Sequence, residues 1–147
     1  MTSSNRTVVV TGASGFLAAW ILPKLIARGL TVIAVDIARD ETRLRQVVRG
    51  EAPDEIAWQV ADLTNDGIMS RIAEQHAVST ILHLAALQIP ACRANPLAGV
   101  KVNVVGHVSV LEAARSVGAR VIYTSSVAAK PRGAANAPAN LYGVFKR

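Results

Sequence analysis

The sequence predicts an α/β fold in which a parallel sheet is covered by helices. Three observations carry this expectation. Five short aliphatic or β-branched runs alternate with four helix-type segments; the first run ends in a glycine turn that leads straight into an apolar-striped stretch; and the second run closes on an acidic residue. Such alternation builds right-handed strand–helix–strand crossovers, which leave a ligand crevice at the carboxyl ends of the strands.

Taken in order, Thr7–Thr11 is a β-branched run closed by Gly12, the pattern of a strand buried on both faces. Residues 15–28 follow as a helix in which Phe16, Leu17, Trp20, Ile21, Leu25 and Ile26 form one core-facing stripe, with Gly29 as the stop. Pro23 falls inside that helix and is expected to bend it. Thr31–Asp36 reads as a second strand, 40–49 as a polar helix and Ile56–Val60 as a third strand. Residues 66–76 form the next helix, 80–84 the fourth strand, Pro96–Val117 a long helix and 120–125 the fifth strand. Residues 129–140 mix Pro, Gly, Asn and Ala without a hydrophobic period and read as a loop, after which Leu141 opens a new element.

Length and composition narrow the class. A chain of 147 residues that is 51% hydrophobic suits one domain with a sizeable core. The start lacks an export pattern and no run reaches the roughly 18 uninterrupted apolar residues of a membrane span, so a soluble, cytoplasmic protein with no membrane partner is expected. Cys92 is the only cysteine, which excludes an internal disulfide framework, and none of the three histidines has metal-ligand spacing. The net charge of +6 raises nucleic acid as a partner. However, Arg39, Arg43, Arg45 and Arg49 are interspersed with Asp40, Glu41 and Glu51 and lack interleaved aromatics, the pattern of a solvated mixed-charge face. No Gly-x-Ser-x-Gly elbow supports a hydrolase.

The sharpest signal is Thr11-Gly12-Ala13-Ser14-Gly15-Phe16-Leu17-Ala18, set between a strand and a helix, with Asp36 at the end of the next strand. Gly12 permits a tight turn, Gly15 lets the helix start approach a diphosphate, and the small Ala18 keeps helix and sheet close. Asp36 can accept hydrogen bonds from both adenosine ribose hydroxyls and would repel a 2′-phosphate, which favours NAD over NADP. Arg39, just beyond the strand, argues the other way because it can accommodate that phosphate. Asp62 either reaches the adenine amino group or caps the turn after the third strand.

These motifs, together with His83-Leu84-Ala85-Ala86, Val102-Asn103-Val104-Val105-Gly106, Ser125-Ser126 and Tyr142-Gly143-Val144-Phe145-Lys146, resemble the extended short-chain dehydrogenase/reductase family, whose members include NAD-dependent nucleotide-sugar epimerases and dehydratases. The resemblance covers nearly the whole chain in the correct order. It implies a Rossmann-type doubly wound sheet in the strand order 3-2-1-4-5. It also implies a catalytic set of Ser126, Tyr142 and Lys146, with Ser125 as a substitute for Ser126. Tyr142 would exchange the substrate hydroxyl proton, and Lys146 would favour the phenolate and hold the nicotinamide ribose. The cofactor would meet Gly12, Ser14, Gly15, Phe16, Leu17, Asp36, Asp62, Leu63, Ala85, Ala86, Asn103, Tyr142 and Lys146.

The implied activity is NAD-dependent hydride transfer at a hydroxyl of a sugar or sugar nucleotide. The alternatives are a non-catalytic dinucleotide-binding or regulatory module and a simple NAD(P)-dependent dehydrogenase of a non-nucleotide substrate. Extended members run to about twice this length, so residues 1–147 are expected to be an incomplete dinucleotide-binding domain, truncated after the fifth strand and without the carboxyl-terminal substrate domain. The segment after Ser126 also lacks the family's valine-tyrosine-glycine run, which weakens any specific sugar assignment. Finally, Val100, Val102, Val104, Val105, Val108, Val110 and Leu111 occupy more faces of the long helix than one-sided burial needs. A second surface is expected to cover it, and by resemblance that surface belongs to a homodimer partner.

Overall fold

The computed structural model describes residues 6–131 and 137–147. Residues 132–136 of the expected loop lie outside the described residues. The strands are β1 (Thr7–Thr11), β2 (Thr31–Asp36), β3 (Ile56–Val60), β4 (Thr80–His83) and β5 (Arg120–Tyr123). All pair in parallel in the order β3-β2-β1-β4-β5, the Rossmann arrangement the sequence led us to expect. β1 is central and buried throughout. It pairs Val8 with Val32 on one side and with Thr80 on the other.

Strand alternation divides the core into two layers. Val9, Ile33, Val35 and Ile81 face one way, against Met69, Ile72 and Ala73 of α3 (Ile68–Gln75) and Val110, Ala113 and Ala114 of α6 (Gly106–Val117). Val8, Val10, Val32 and Ala34 face the other way, against Ala18, Ala19 and Leu22 of α1 (Phe16–Ala27) and Leu44 of α2 (Thr42–Val48). The stripe expected to bury α1 is thus corrected. Two alanines and Leu22 make its inner face, while Phe16, Leu17 and Trp20 are half or more exposed. Small side chains let the helix axis approach the sheet, so they rather than the bulky residues lie innermost. Pro23 sits within α1, which continues past it to Ala27.

Two features were not legible as periodicity. A short helix, α4 (Ile89–Ala94), begins with Pro90 in its first turn, and Pro96–Val117 is one long helix with a π turn in it. That helix comprises α5 (Pro96–Val100), the π turn at Lys101–Val105 and α6. By length and composition it could cross a bilayer. In this fold it packs on α3 and the sheet through Val110, Ala113 and Ala114. Its other face leaves Val104, Val105, Val108 and Leu111 exposed, next to an edge strand, β5, whose Ile122 and Tyr123 are also half exposed. The last helix, α7 (Leu141–Phe145), is capped by Asn140, whose Oδ1 accepts from the Gly143 N–H at 2.9 Å.

Candidate functional site

A crevice of about 540 Å³ opens at the carboxyl ends of β1, β2 and β4. Its floor is the glycine turn. Gly12 has a left-handed φ of +69°, and a Cβ there would lie 2.7 Å from the Ala85 backbone nitrogen. A Cβ on Gly15 would lie 2.9 Å from the Gly12 carbonyl oxygen. Both positions therefore exclude a side chain, the first through conformation and contact, the second through contact alone. Helix α1 starts at this floor with no side-chain cap and no acidic residue in its first turn. An uncapped helix start facing a crevice presents backbone donors and a partial positive charge, which suits a diphosphate.

Asp36 enters from the end of β2. Its Oδ2 accepts from the Ser14 N–H at 2.9 Å and its Oδ1 from the Ile37 N–H at 2.7 Å, which fixes the carboxylate while leaving further acceptor lone pairs on it. The Ser14 hydroxyl donates to the Ala38 carbonyl at 2.9 Å and accepts from the Asp40 N–H at 3.2 Å. Ser14 therefore fastens the segment after β2 to the glycine turn, and its side chain is not among the crevice walls. Asp62 lines the crevice and also caps its turn, its Oδ1 accepting from the Thr64 N–H at 2.9 Å and the Thr64 hydroxyl at 2.8 Å. Of the two roles open from sequence, capping is the one its hydrogen bonds record.

Thr11 and His83 join the floor from below. Thr11 Oγ1 and His83 Nδ1 are 2.7 Å apart, and the Ala85 N–H donates to Thr11 Oγ1 at 3.3 Å. Burial, followed by the charges of His107 and Lys146, pushes the His83 imidazole down to about 4. It is neutral at physiological pH. The His107 ring lies between those of His83 and Tyr123 in tilted contacts, at centroid distances of 5.1 and 4.9 Å. No metal-ligand group occurs among the described residues.

Asn103 sits in the π turn, buried to 5% exposure. Its Oδ1 accepts from the Leu87 N–H at 2.7 Å and its Nδ2 donates to the Leu87 carbonyl at 2.8 Å. Cys92 Sγ donates to the same carbonyl at 3.2 Å, and burial pushes its thiol up. Asn103 thereby anchors the wall Leu84-Ala85-Ala86-Leu87-Gln88, although it is not itself a wall residue.

The residues read from the sequence fall into two groups. Gly12, Gly15, Phe16, Leu17, Asp36, Asp62, Leu63, Ala85 and Ala86 line one crevice. Ser14, Asn103, Ser126, Tyr142 and Lys146 stand outside its walls. Ser126 Oγ accepts from the Ala128 N–H at 3.1 Å and Ser125 Oγ donates to the Lys146 carbonyl at 3.1 Å. Lys146 Nζ donates to the Thr124 carbonyl at 3.0 Å, and burial lowers its pKa. Tyr142 is 8% exposed, in a helix whose Gly143 has no room for a side chain against Ala128. Wall residues that sequence reasoning missed include Val35, Ile37, Arg43, Ala61, Leu87, Gln88 and Val102. For Ile37 the signal was adjacency to Asp36.

Comparison with known proteins agrees with this architecture. A UDP-glucose 4-epimerase from Klebsiella pneumoniae is 29% identical over 122 residues, covering 81% of this chain and 88% of that protein. A UDP-glucose 4-epimerase from Mycolicibacterium smegmatis is 36% identical over 121 residues, covering 80% of this chain and 38% of that protein. Among solved structures, L-threonine dehydrogenase from Clostridium difficile superposes with a TM-score of 0.79 at 24% identity, over 95% of this chain and 45% of that one. UDP-glucose 4-epimerase from Thermotoga maritima gives 0.77 at 24% identity, over 95% and 47%. The chain thus spans less than half the length of these two structures, and at such identity they speak for the fold alone. Residues 8–146, nearly the entire sequence, match the NAD dependent epimerase/dehydratase family, and the chain belongs to it.

Proposed function

We propose that this chain supplies the dinucleotide-binding half of an NAD-dependent oxidoreductase acting on a hydroxyl of a sugar or sugar nucleotide, as an epimerase, dehydratase or dehydrogenase. The observation that carries the reading is the crevice itself, where an uncapped helix start, a glycine floor and a fixed Asp36 carboxylate meet. These features fit the three parts of the ligand's adenosine end. Amides of α1 would receive the diphosphate, Asp36 the ribose hydroxyls, and Ile37, Ala61 and Leu63 the adenine.

Bound NAD supplies a hydride acceptor that can hold or return the hydride. The rest is work for side chains. Tyr142 would take the proton of the substrate hydroxyl, Lys146 would keep positive charge beside it, and Ser126 would hydrogen-bond the same oxygen. UDP-glucose 4-epimerases and a UDP-glucuronic acid decarboxylase from Arabidopsis thaliana, 32% identical over 130 residues, favour a nucleoside-diphosphate sugar as substrate. We further propose a cytoplasmic homodimer, with residues 1–147 completed by a substrate-binding portion in the whole enzyme.

One set of observations favours a second reading, a dinucleotide-binding module without turnover. Ser126 is spent on a turn, Lys146 on the Thr124 carbonyl, and Tyr142 is buried away from the crevice wall. Calorimetric titration of the chain with NAD, paired with NMR of UDP-glucose incubated with NAD and the chain completed by its substrate-binding portion, tests both. Saturable NAD binding with conversion of the sugar by the completed enzyme supports the enzyme, and binding without conversion by the completed protein supports the module. A folded chain that binds no NAD overturns both.

A further inference from the structure

Three ring side chains link the crevice floor to the end of β5. Thr11 Oγ1, which accepts from the Ala85 N–H of the crevice wall, is 2.7 Å from His83 Nδ1. The His83 ring meets that of His107, the second residue of α6, and His107 in turn meets Tyr123, the last residue of β5. The segment leaving Tyr123 holds Lys146 at both ends. Lys146 Nζ donates to the Thr124 carbonyl at 3.0 Å, and the Lys146 carbonyl accepts from Ser125 Oγ at 3.1 Å. His107 therefore stands between the strand that leads into the crevice wall and the strand end that carries Lys146.

The surroundings of this half-buried ring favour its neutral form. It faces His83 from β4, Tyr123 from β5 and Lys146 from the end of α7. The other charged side chains on the elements around it, Arg71 and Glu74 of α3, Lys101 of the π turn, Glu112 of α6 and Arg120 at the far end of β5, are exposed. Glu112 pairs with Arg115, and among the described residues no carboxylate lies within ion-pair distance of either histidine. Burial first and the Lys146 charge second lower the His107 pKa.

We propose that His107 is a positioning residue for Lys146: its neutral ring supports the strand end that holds the lysine, and a proton on it drives the ammonium off the Thr124 carbonyl and loosens NAD. This rests on the role proposed above for Lys146 at the nicotinamide ribose. An imidazolium beside an ammonium, with no carboxylate between them, is relieved most easily by the lysine, whose flexible stem can swing to water. By linkage, a proton that displaces Lys146 weakens whatever Lys146 binds, and that ligand in turn weakens the hold of His107 on the proton.

The test follows the whole chain by NMR and by calorimetry with NAD at about pH 7.5 and about pH 5, a window in which His83 stays neutral, since its imidazole is pushed down to about 4. Without ligand, the His107 imidazole should titrate below 6.5, Lys146→Gln should raise that midpoint, and NAD should lower it. NAD affinity should fall at least about fivefold from the higher pH to the lower. His107→Phe keeps a ring in place but takes no proton, and should bring the two affinities within about twofold of each other, whatever the value at the higher pH. Lys146→Gln should bind NAD more weakly and lose the fall as well. An acid fall that persists in His107→Phe overturns the proposal, as does an unmodified chain with equal affinity at both pH values. A His107 midpoint that neither Lys146→Gln nor NAD moves overturns it too, and needs no His107 variant that folds. A folded chain that binds no NAD at either pH overturns the dinucleotide reading as well, so the two failures are distinguishable.

Discussion

Single residues set the crevice floor, and two of them give sharp predictions. Gly12 combines a left-handed backbone with backbone contact on Ala85, so Gly12→Ala should cost more than about 1 kcal/mol by urea unfolding and weaken NAD binding with it. A variant of unchanged midpoint would contradict the packing described. His83 is ordinarily a group of pKa 6.5 but is held neutral in the fold down to about 4. Between those values the unfolded chain binds the proton that the folded chain refuses. Stability is therefore full above about pH 6.5, falls as pH drops, and the loss is complete near pH 4, on the order of 3 kcal/mol in all. His83→Asn, which cannot titrate there, should flatten unfolding free energy against pH over that window, leaving the smaller slope from His107, whose pKa is lowered in the same direction by burial and then by Lys146. Equal slopes in both proteins would remove His83 from the account. Gly12, Gly15 and Asp36 were legible because each performs a task that few residue types can. Arg43 was not, because four arginines in eleven residues carry no mark of which one folds inward.

At the scale of elements, hydrophobic period identified every strand and most helices, and it failed where other forces decide. Within the long helix the π turn adds no change of composition. It exists where Asn103 must meet the Leu87 peptide, a tertiary demand invisible to a periodic count. Helix α4 escaped notice because its six residues are too few to show a period. The bond pair between Asn103 and Leu87 fastens one element to the wall of another. Asn103→Leu removes both bonds and leaves a partly buried peptide short of its side-chain partner, at a cost of about 2–3 kcal/mol in thermal or urea unfolding. NAD affinity should fall too, since Leu84 to Gln88 line the crevice. Loss of stability with unaltered NAD affinity would show that the wall holds its shape without this anchor.

The whole molecule was the most legible scale in topology and the least in assembly. Alternating strand and helix signals imply parallel crossovers, and the family resemblance implies the strand order; nothing in the alternation says what lies against the outer face of Pro96–Val117. The exposed Val104, Val105, Val108 and Leu111 make that face a candidate for contact with a second copy. Sedimentation velocity should show concentration-dependent association of the unmodified chain, and Val108→Asp with Leu111→Asp should shift it to monomer. Monomeric behaviour throughout the micromolar range would assign the face to another covering. The central position of β1 also has a consequence in time. Its pairing on one side is complete once β2 is made, but the Thr11–His83 link joins residues separated by 72 positions. At ribosomal speeds of about 5–20 residues per second, β1 waits roughly 4 to 14 s for its second neighbour. During that interval Val8-Val9-Val10 is an uncharged, half-paired strand, so the youngest stage of the nascent chain is where this protein is most exposed to aggregation and has most use for a chaperone.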